Sequence, residues 1–435
     1  MNRFAVIADD LTGANENGLH FLKKGLSAET LIYQKGAFKK DLCAAEKFKG
    51  ILIVDSGTRQ KRPSEAGRIT EEIASRLFSA GVKLIYQKFD STLRGHPGAV
   101  INAVLKRRVT DYAAVCLAYP EAGRTTKNGE QYVGEQKVTE TVFAKDPLNP
   151  LRSSKIVKVL GEGTKLSSAL ITLKVIRKGI AAVLCEKERL LEGGARILIF
   201  DCASGRDLRT VAGAIADCRI ICGASALSKE LAGKGGRKKA AAKLKGRRVA
   251  GIIGSQNPVT MEQLEYLRSR ESIKCVFADA EDALAEFKRN KNNNNISSNT
   301  KGAILGDFIV ILRGGESADR YIKSLIRTIG AAKAAESISR GLASIAKQLG
   351  ANPSNDAFFF TGGATAEGAS LEFSMRGFSL EGEVAGGIPL LLSRSGGTPV
   401  VTKSGGFGKR DALLKILKFL KEKKAPEIPG RRKSK

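Results

Sequence analysis

The chain has 435 residues, 42% of them apolar and none of them tryptophan, and it carries a formal net charge of +29. That length exceeds one ordinary core and gives two domains as the prior, while no apolar run approaches the ~18 residues of a membrane span. A field this positive suits anionic ligands, from nucleotides and sugar acids to nucleic acid.

The first ten residues, Met1-Asn-Arg-Phe-Ala-Val-Ile-Ala-Asp-Asp10, enter a strand pattern at once and meet acids where a leader peptide would still be apolar. The expectation is a cytoplasmic protein. Residues 4–8, 30–33, 50–54, 83–88 and 113–118 read as short strands, with amphipathic segments between them. One such segment, 64–80, would use Ser64 as its cap and turn Ile69, Ile73 and Leu77 to a single face. This alternation predicts a parallel, helix-flanked sheet. Residues 119–154 break the rhythm and read as a long functional loop. After a strand at 197–200 and a helix over 207–216 comes a tract at 234–248 with eight basic residues and no acid, the expected domain boundary. A second α/β pattern starts at Val249. It holds a strand at 308–312, a long helical region from 317 to 348, and apolar runs ending in paired glycines near 362 and 405. An Asn-rich stretch at 291–300 reads as a surface insertion. The expected organisation is an N-terminal domain over 1–232, a basic linker over 233–248, a C-terminal domain over 249–422 and a basic tail over 423–435. The fold class is α/β: two domains, each a largely parallel helix-flanked sheet, with the active site in the cleft between them.

Seven cysteines are scattered without a CxxC pair, and the only histidines are His20 and His96. Small buried side chains in a reducing compartment explain them better than metal or disulfide chemistry. The basic tracts leave nucleic-acid binding open as an alternative, although aromatic residues are few and not interleaved with them.

Four polar clusters follow N-terminal strands, the place where open α/β sheets bind ligands. Ala8-Asp-Asp-Leu-Thr-Gly-Ala14 sets two carboxylates before a helix; they suit a sugar hydroxyl or a metal, and Asp10 serves equally as a helix cap. In Asp55-Ser-Gly-Thr-Arg59 the arginine fork matches a carboxylate. Lys88-Phe-Asp-Ser-Thr-Leu-Arg-Gly95 concentrates complementary chemistry as a plain loop rarely does, and Gly123-Arg-Thr-Thr-Lys127 suits a phosphate or carboxylate. In the second half, Gly254-Ser255 followed by Pro258 is a strand end feeding a helix, an anion site. Gly362-Gly363-Ala364-Thr365 and Ser404-Gly405-Gly406-Phe-Gly408 let backbone N–H groups approach phosphates closely. No GxxxxGK[ST] is present, and no GxGxxG follows the first strand. A nicotinamide-dependent sugar-acid oxidoreductase, a further alternative, lacks its fingerprint.

Taken together, these motifs resemble the four-carbon acid sugar kinase family over nearly the whole length. Tyr119-Pro-Glu-Ala-Gly-Arg-Thr-Thr126, Thr139-Glu-Thr-Val-Phe-Ala-Lys-Asp-Pro147 and Cys222-Gly-Ala-Ser225 add to the likeness. The resemblance implies ATP-dependent phosphorylation of a C4 acid such as threonate, erythronate or 3-oxo-tetronate, with Mg²⁺ on the phosphates. It implies an acid-sugar site of Asp10, Arg59, Lys88, Phe89, Asp90 and Ser91; the roles expected within it are Arg59 and Lys88 on the carboxylate and Asp90, with Asp10 as the alternative, as the catalytic base. It implies an ATP site of Ser255, Gly362, Gly363, Ala364, Thr365 and Gly405. The partners expected are therefore two small molecules, with no membrane, and a homo-oligomer is compatible with the pattern.

Overall fold

The computed structural model describes residues 4–45, 47–106, 112–145, 150–232, 247–292 and 303–422. The expected linker, apart from its last two residues, most of the Asn-rich stretch and the basic tail lie outside these residues. The chain divides into two compact units, Met1–Arg237 and Lys238–Lys435. Among the described residues no helix is long and apolar enough to cross a membrane.

In the first unit the strands are β1 (Phe4–Ala8), β2 (Ala28–Ile32), β3 (Ile51–Asp55), β4 (Leu84–Lys88) and β5 (Ala113–Cys116). A meander of β6 (Arg124–Lys127), β7 (Glu130–Val133) and β8 (Gln136–Lys137) follows, then β9 (Ser168–Ile171), β10 (Ile197–Phe200) and β11 (Ile220–Gly223). The main sheet runs β2-β3-β1-β4-β11-β5-β10-β9, and every pairing in it is parallel. Such strands are covered on both faces, which is why they are continuous apolar runs: Ala5, Val6, Ile53, Val54 and Ile85 are all fully buried. The chain leaves β1 for β2 and β3 on one side and returns to β4 on the other. The carboxyl ends of β1, β3 and β4 thus flank a topological switch point, the natural ligand crevice of such a sheet.

Three local readings are corrected. The helix expected from Ser64 is Pro63–Ser79, with proline in its first turn and no side-chain cap; the fixed φ of proline, not a serine hydroxyl, starts it. Residues 119–154 are not simply a loop. Arg124–Lys137 form the antiparallel meander β6-β7-β8, stitched to the end of β10 where Thr126 and Cys202 exchange both backbone bonds, at 2.8 and 3.0 Å. The long helical region is two helices, Glu316–Ile329 and Ala331–Gln348, split at Gly330, whose φ of 83° continues no helix.

The second unit has β12 (Arg248–Ile253), β13 (Lys274–Ala278), β14 (Phe308–Leu312), β15 (Asp356–Thr361), β16 (Gly377–Ala385), β17 (Ile388–Ser393) and β18 (Pro399–Lys403). Their order is β13-β14-β12-β15-β18-β17-β16. The first five are parallel and the last two join antiparallel. Phe358, Phe359 and Phe360 of β15 are all fully buried, each stabilising the unit by about 1.5–3 kcal/mol. They pin the strand from which the first glycine turn departs.

Candidate active site

In the first unit, Asp9 and Asp10 leave β1 just as the helix Leu11–Lys23 begins. Asp10 caps that helix, accepting from the Gly13 N–H at 2.9 Å and from the Thr12 hydroxyl at 2.9 Å. The cap does not exhaust it. Arg59, beyond β3 and 8% exposed, donates from Nε and Nη2 to the two oxygens of Asp9 at 2.8 and 2.7 Å, and from Nη1 to Asp10 Oδ2 at 2.6 Å. Burial pushes Asp9 above the ordinary carboxylate range against the pull of Arg59. Asp10 stays below that range: burial opposes ionisation, but Arg59, Lys88 and its hydrogen bonds outweigh it. The fork expected to grip a ligand carboxylate is thus largely engaged by two protein carboxylates.

Lys88, at the end of β4 and 5% exposed, donates to the Phe89 carbonyl at 3.0 Å. Its ammonium lies 3.0 Å from where a Cβ on Gly13 would stand, so it lies beside the first turn of the capped helix. Asp90 accepts from Arg94 Nε at 2.7 Å, from Arg94 Nη2 at 3.3 Å and from the Thr92 hydroxyl. Burial opposes its ionisation, yet Arg94, Arg59 and these donors hold it far below the usual range. Its neighbours thus favour the carboxylate form of Asp90. The loop is sharply bent: Leu93 has φ 67°, a left-handed conformation that costs a non-glycine residue energy, and Gly95 follows at φ 93°. A Cβ on Gly95 would lie 3.1 Å from Asp9 Oδ2, so the loop closes down on the carboxylates. Phe89 is 4% exposed and packs in the hydrophobic core; its N–H donates to the Gly223 carbonyl at 2.9 Å and its carbonyl accepts from Lys88, so the residue holds the loop in place and leaves no polar group for a ligand. The Ser91 carbonyl accepts from Gln131 of the meander at 2.8 Å.

In the second unit the expected residues converge. A Cβ on Gly405 would overlap Ser255 Oγ, and one on Gly254 would overlap Thr365 Oγ1; one on Gly362 would stand 3.3 Å from Thr365 Oγ1 and 3.5 Å from Ser255 Cβ. Gly362, at φ 106°, donates to the Lys403 carbonyl at 2.9 Å and opens the helix Gly363–Glu372, whose first N–H groups include those of Gly363 and Ala364. Lys403, 1% exposed, donates from Nζ to the carbonyls of Ser404, Gly405 and Phe407 at 3.0, 3.3 and 3.2 Å. Gln263 donates to those of Phe407, Gly408 and Lys409 at 3.0, 3.1 and 2.9 Å. These carbonyls are drawn inward. Trans peptides then aim the N–H groups of Gly405 and Gly406 the other way, where an anion can meet them. Asn257 caps the helix Pro258–Arg268, accepting from the Val259 N–H at 3.0 Å, and adds a second helix start.

Sequence reasoning did not single out Glu16 or Gln263. A helical step of three residues from Gly13 would have found Glu16; nothing local marks Gln263, whose partners are more than a hundred residues away.

Residues 4–231 match a family model described as a sugar-binding N-terminal domain, and residues 250–413 match one described as a nucleotide-binding C-terminal domain. Curated relatives align along almost their whole lengths. A D-threonate kinase of Bordetella bronchiseptica is 29% identical, covering 96% of this chain and 98% of that protein. A 3-oxo-tetronate kinase of Actinobacillus succinogenes is 27% identical over 93% and 97%, and a D-erythronate kinase of Heliobacterium modesticaldum 26% identical over 97% and 97%. Among solved structures, a Salmonella typhimurium protein described as a putative tRNA synthase superposes with TM-score 0.71 at 21% identity, covering 95% of this chain and 98% of the other. A Haemophilus influenzae protein of the DUF1537 family superposes with TM-score 0.66 at 23% identity, over 96% and 100%. At these identities the superpositions speak for the fold. Two domains matched in order, and kinases matched end to end, place this chain in the four-carbon acid sugar kinase family.

Proposed function

We propose that the chain transfers the γ-phosphoryl group of ATP to a hydroxyl of a four-carbon sugar acid, threonate, erythronate or 3-oxo-tetronate, in the cytoplasm. The observation that carries this reading is the pairing of a switch-point crevice lined by Asp10, Arg59, Lys88, Asp90 and Ser91 with a glycine cradle built by Ser255, Gly362–Thr365 and Gly405. The acid binds in the first unit, its carboxylate meeting Lys88 and the remaining N–H groups of Arg59. Asp10 and Asp90 accept hydrogen bonds from its hydroxyls and so fix their direction; Ser91 completes the pocket, and buried Phe89 anchors the loop that carries them. ATP phosphates lie on the N–H groups of Gly363, Ala364, Gly405 and Gly406, with Ser255 and Thr365 donating hydroxyls.

Mg²⁺ carried on the nucleotide would neutralise phosphate charge. What the protein supplies is position and electrostatics, because phosphoryl transfer asks little covalent chemistry of it. Transfer also needs the acid and the γ-phosphate to meet with water shut out, since water would otherwise take the phosphate.

The test is ADP release with ATP, Mg²⁺ and a panel of C4 acids: release that depends on one acid supports the kinase, and no release with any acid overturns it. For the cradle, Gly405→Ala should raise the KM for ATP roughly tenfold, equivalent to about 1.4 kcal/mol, and leave the acid KM unchanged. The added methyl displaces the Ser255 hydroxyl, which can rotate away, so the fold should survive. Initial rates against ATP concentration check this.

A further inference from the structure

Glu16 is a carboxylate that the reading above does not use. It lies three residues beyond Gly13 in the helix Leu11–Lys23, and a three-residue step returns to the same helical face. That face carries the Lys88 ammonium, 3.0 Å from where a Gly13 Cβ would stand. One oxygen of Glu16, Oε1, is shut off from solvent and has no hydrogen-bond partner. A buried polar oxygen without a donor costs free energy, and a bound hydroxyl would remove that cost. Its charged and polar surroundings come from every side of the crevice: Asp10 at the start of its own helix, Lys88 and Asp90 at and after β4, Ser225 opening the helix Ser225–Leu231, and Arg124 on β6.

We propose that Glu16 touches the acceptor hydroxyl of the sugar acid and takes its proton during transfer. The inference rests on the kinase reading. The hydroxyl oxygen forms a bond to the γ-phosphorus, and the bond from that phosphorus to the bridging oxygen breaks, its electron pair leaving with ADP. The hydroxyl proton passes to the Glu16 carboxylate and from there to solvent after product leaves. Asp90 already accepts from Thr92 and Arg94, which suits it to orienting the hydroxyl rather than deprotonating it. Burial raises the Glu16 carboxyl above its ordinary value, with Asp10 and Asp90 adding to the rise and Lys88 opposing it. A raised pKa brings a base nearer to working pH, where proton transfer is more effective.

Glu16→Gln keeps the shape and removes the basicity. The expected result is a kcat lower by about 100-fold or more, with the KM for ATP and acid within about threefold and partial recovery in Glu16→Asp. In the parent, kcat should rise with pH through an apparent pKa above that of an ordinary glutamate, and Glu16→Gln should lose that limb. Asp90→Asn should be slow yet keep the limb, moved slightly toward acid because one negative neighbour is gone. The rise in Tm caused by the acid reports folding and binding for each variant. A Glu16→Gln enzyme within threefold of the parent kcat, or with its pH limb intact, overturns the proposal. So does one that folds but has lost acid-induced stabilisation, for that assigns Glu16 to grip alone. A parent that releases no ADP with any C4 acid removes the kinase reading and this inference together, whereas an active parent with an unaffected variant removes only the inference.

Discussion

Arg59→Met should abolish phosphoryl transfer and lower the stability of the N-terminal unit by about 3–5 kcal/mol, the usual cost of leaving a buried charge without its partner. Three of the arginine's N–H groups are spent on Asp9 and Asp10, and both carboxylates are almost wholly buried. With methionine in place of the fork, two adjacent carboxyls share a crevice with only Lys88 opposite. At least one must then take up a proton, as buried like charges do. The destabilisation should therefore be larger at pH 8 than at pH 5. Urea unfolding of parent and variant at the two pH values, fitted for midpoint and slope, measures it. Arg59→Lys should rescue little, because a point charge cannot span both oxygens of Asp9 and reach Asp10 as well. Equal stability of parent and Arg59→Met at pH 8 would remove the arginine from this role.

Lys403→Met has the next largest expected effect, and it falls on the nucleotide. The ammonium ties together three carbonyls of the Ser404–Phe407 turn, and without it those oxygens lose their donor while the turn loses its shape. The KM for ATP should rise tenfold or more, at least about 1.4 kcal/mol, with the acid KM little changed. A pH signature accompanies it. Burial pushes the Lys403 ammonium down to about 7, whereas a lysine in the unfolded chain holds its proton to about 10.4. Between those values the unfolded state binds more protons, so stability from this site rises with pH. The parent should gain stability relative to Lys403→Met from pH 7 to 10, and an unchanging difference in unfolding free energy across that window would contradict the assignment.

How far the sequence foretold this arrangement depends on the distance over which each feature is decided. Strands at 4–8, 197–200 and 308–312 have the bounds the apolar runs imply, because a short run of β-branched residues between polar ones has few other places to go. The glycine pairs were equally legible, and Ser255, Gly362, Thr365 and Gly405 lie side by side. The meander at 124–137 was a local signal passed over, since its strands pair across Asn128-Gly129 at φ 51° and 71°; only its bridge from Thr126 to Cys202, some seventy residues on, is nonlocal. The engagement of Arg59 depends on carboxylates fifty positions earlier, so a residue read as a substrate grip is also a keystone. Phe89 looked like part of a polar motif, yet it is core, since alternate residues beyond a buried strand keep facing inward. Glu16 went unnoticed because a glutamate on a helix is ordinary until the neighbouring strands make its face the inner one.

The left-handed Leu93 has a further consequence. Because the turn from Asp90 to Gly95 is held in a costly shape by the protein itself, its conformational entropy is lost during folding and not when the sugar acid arrives. The acid should then associate in a single bimolecular phase whose rate rises linearly with concentration, without a slow isomerisation behind it.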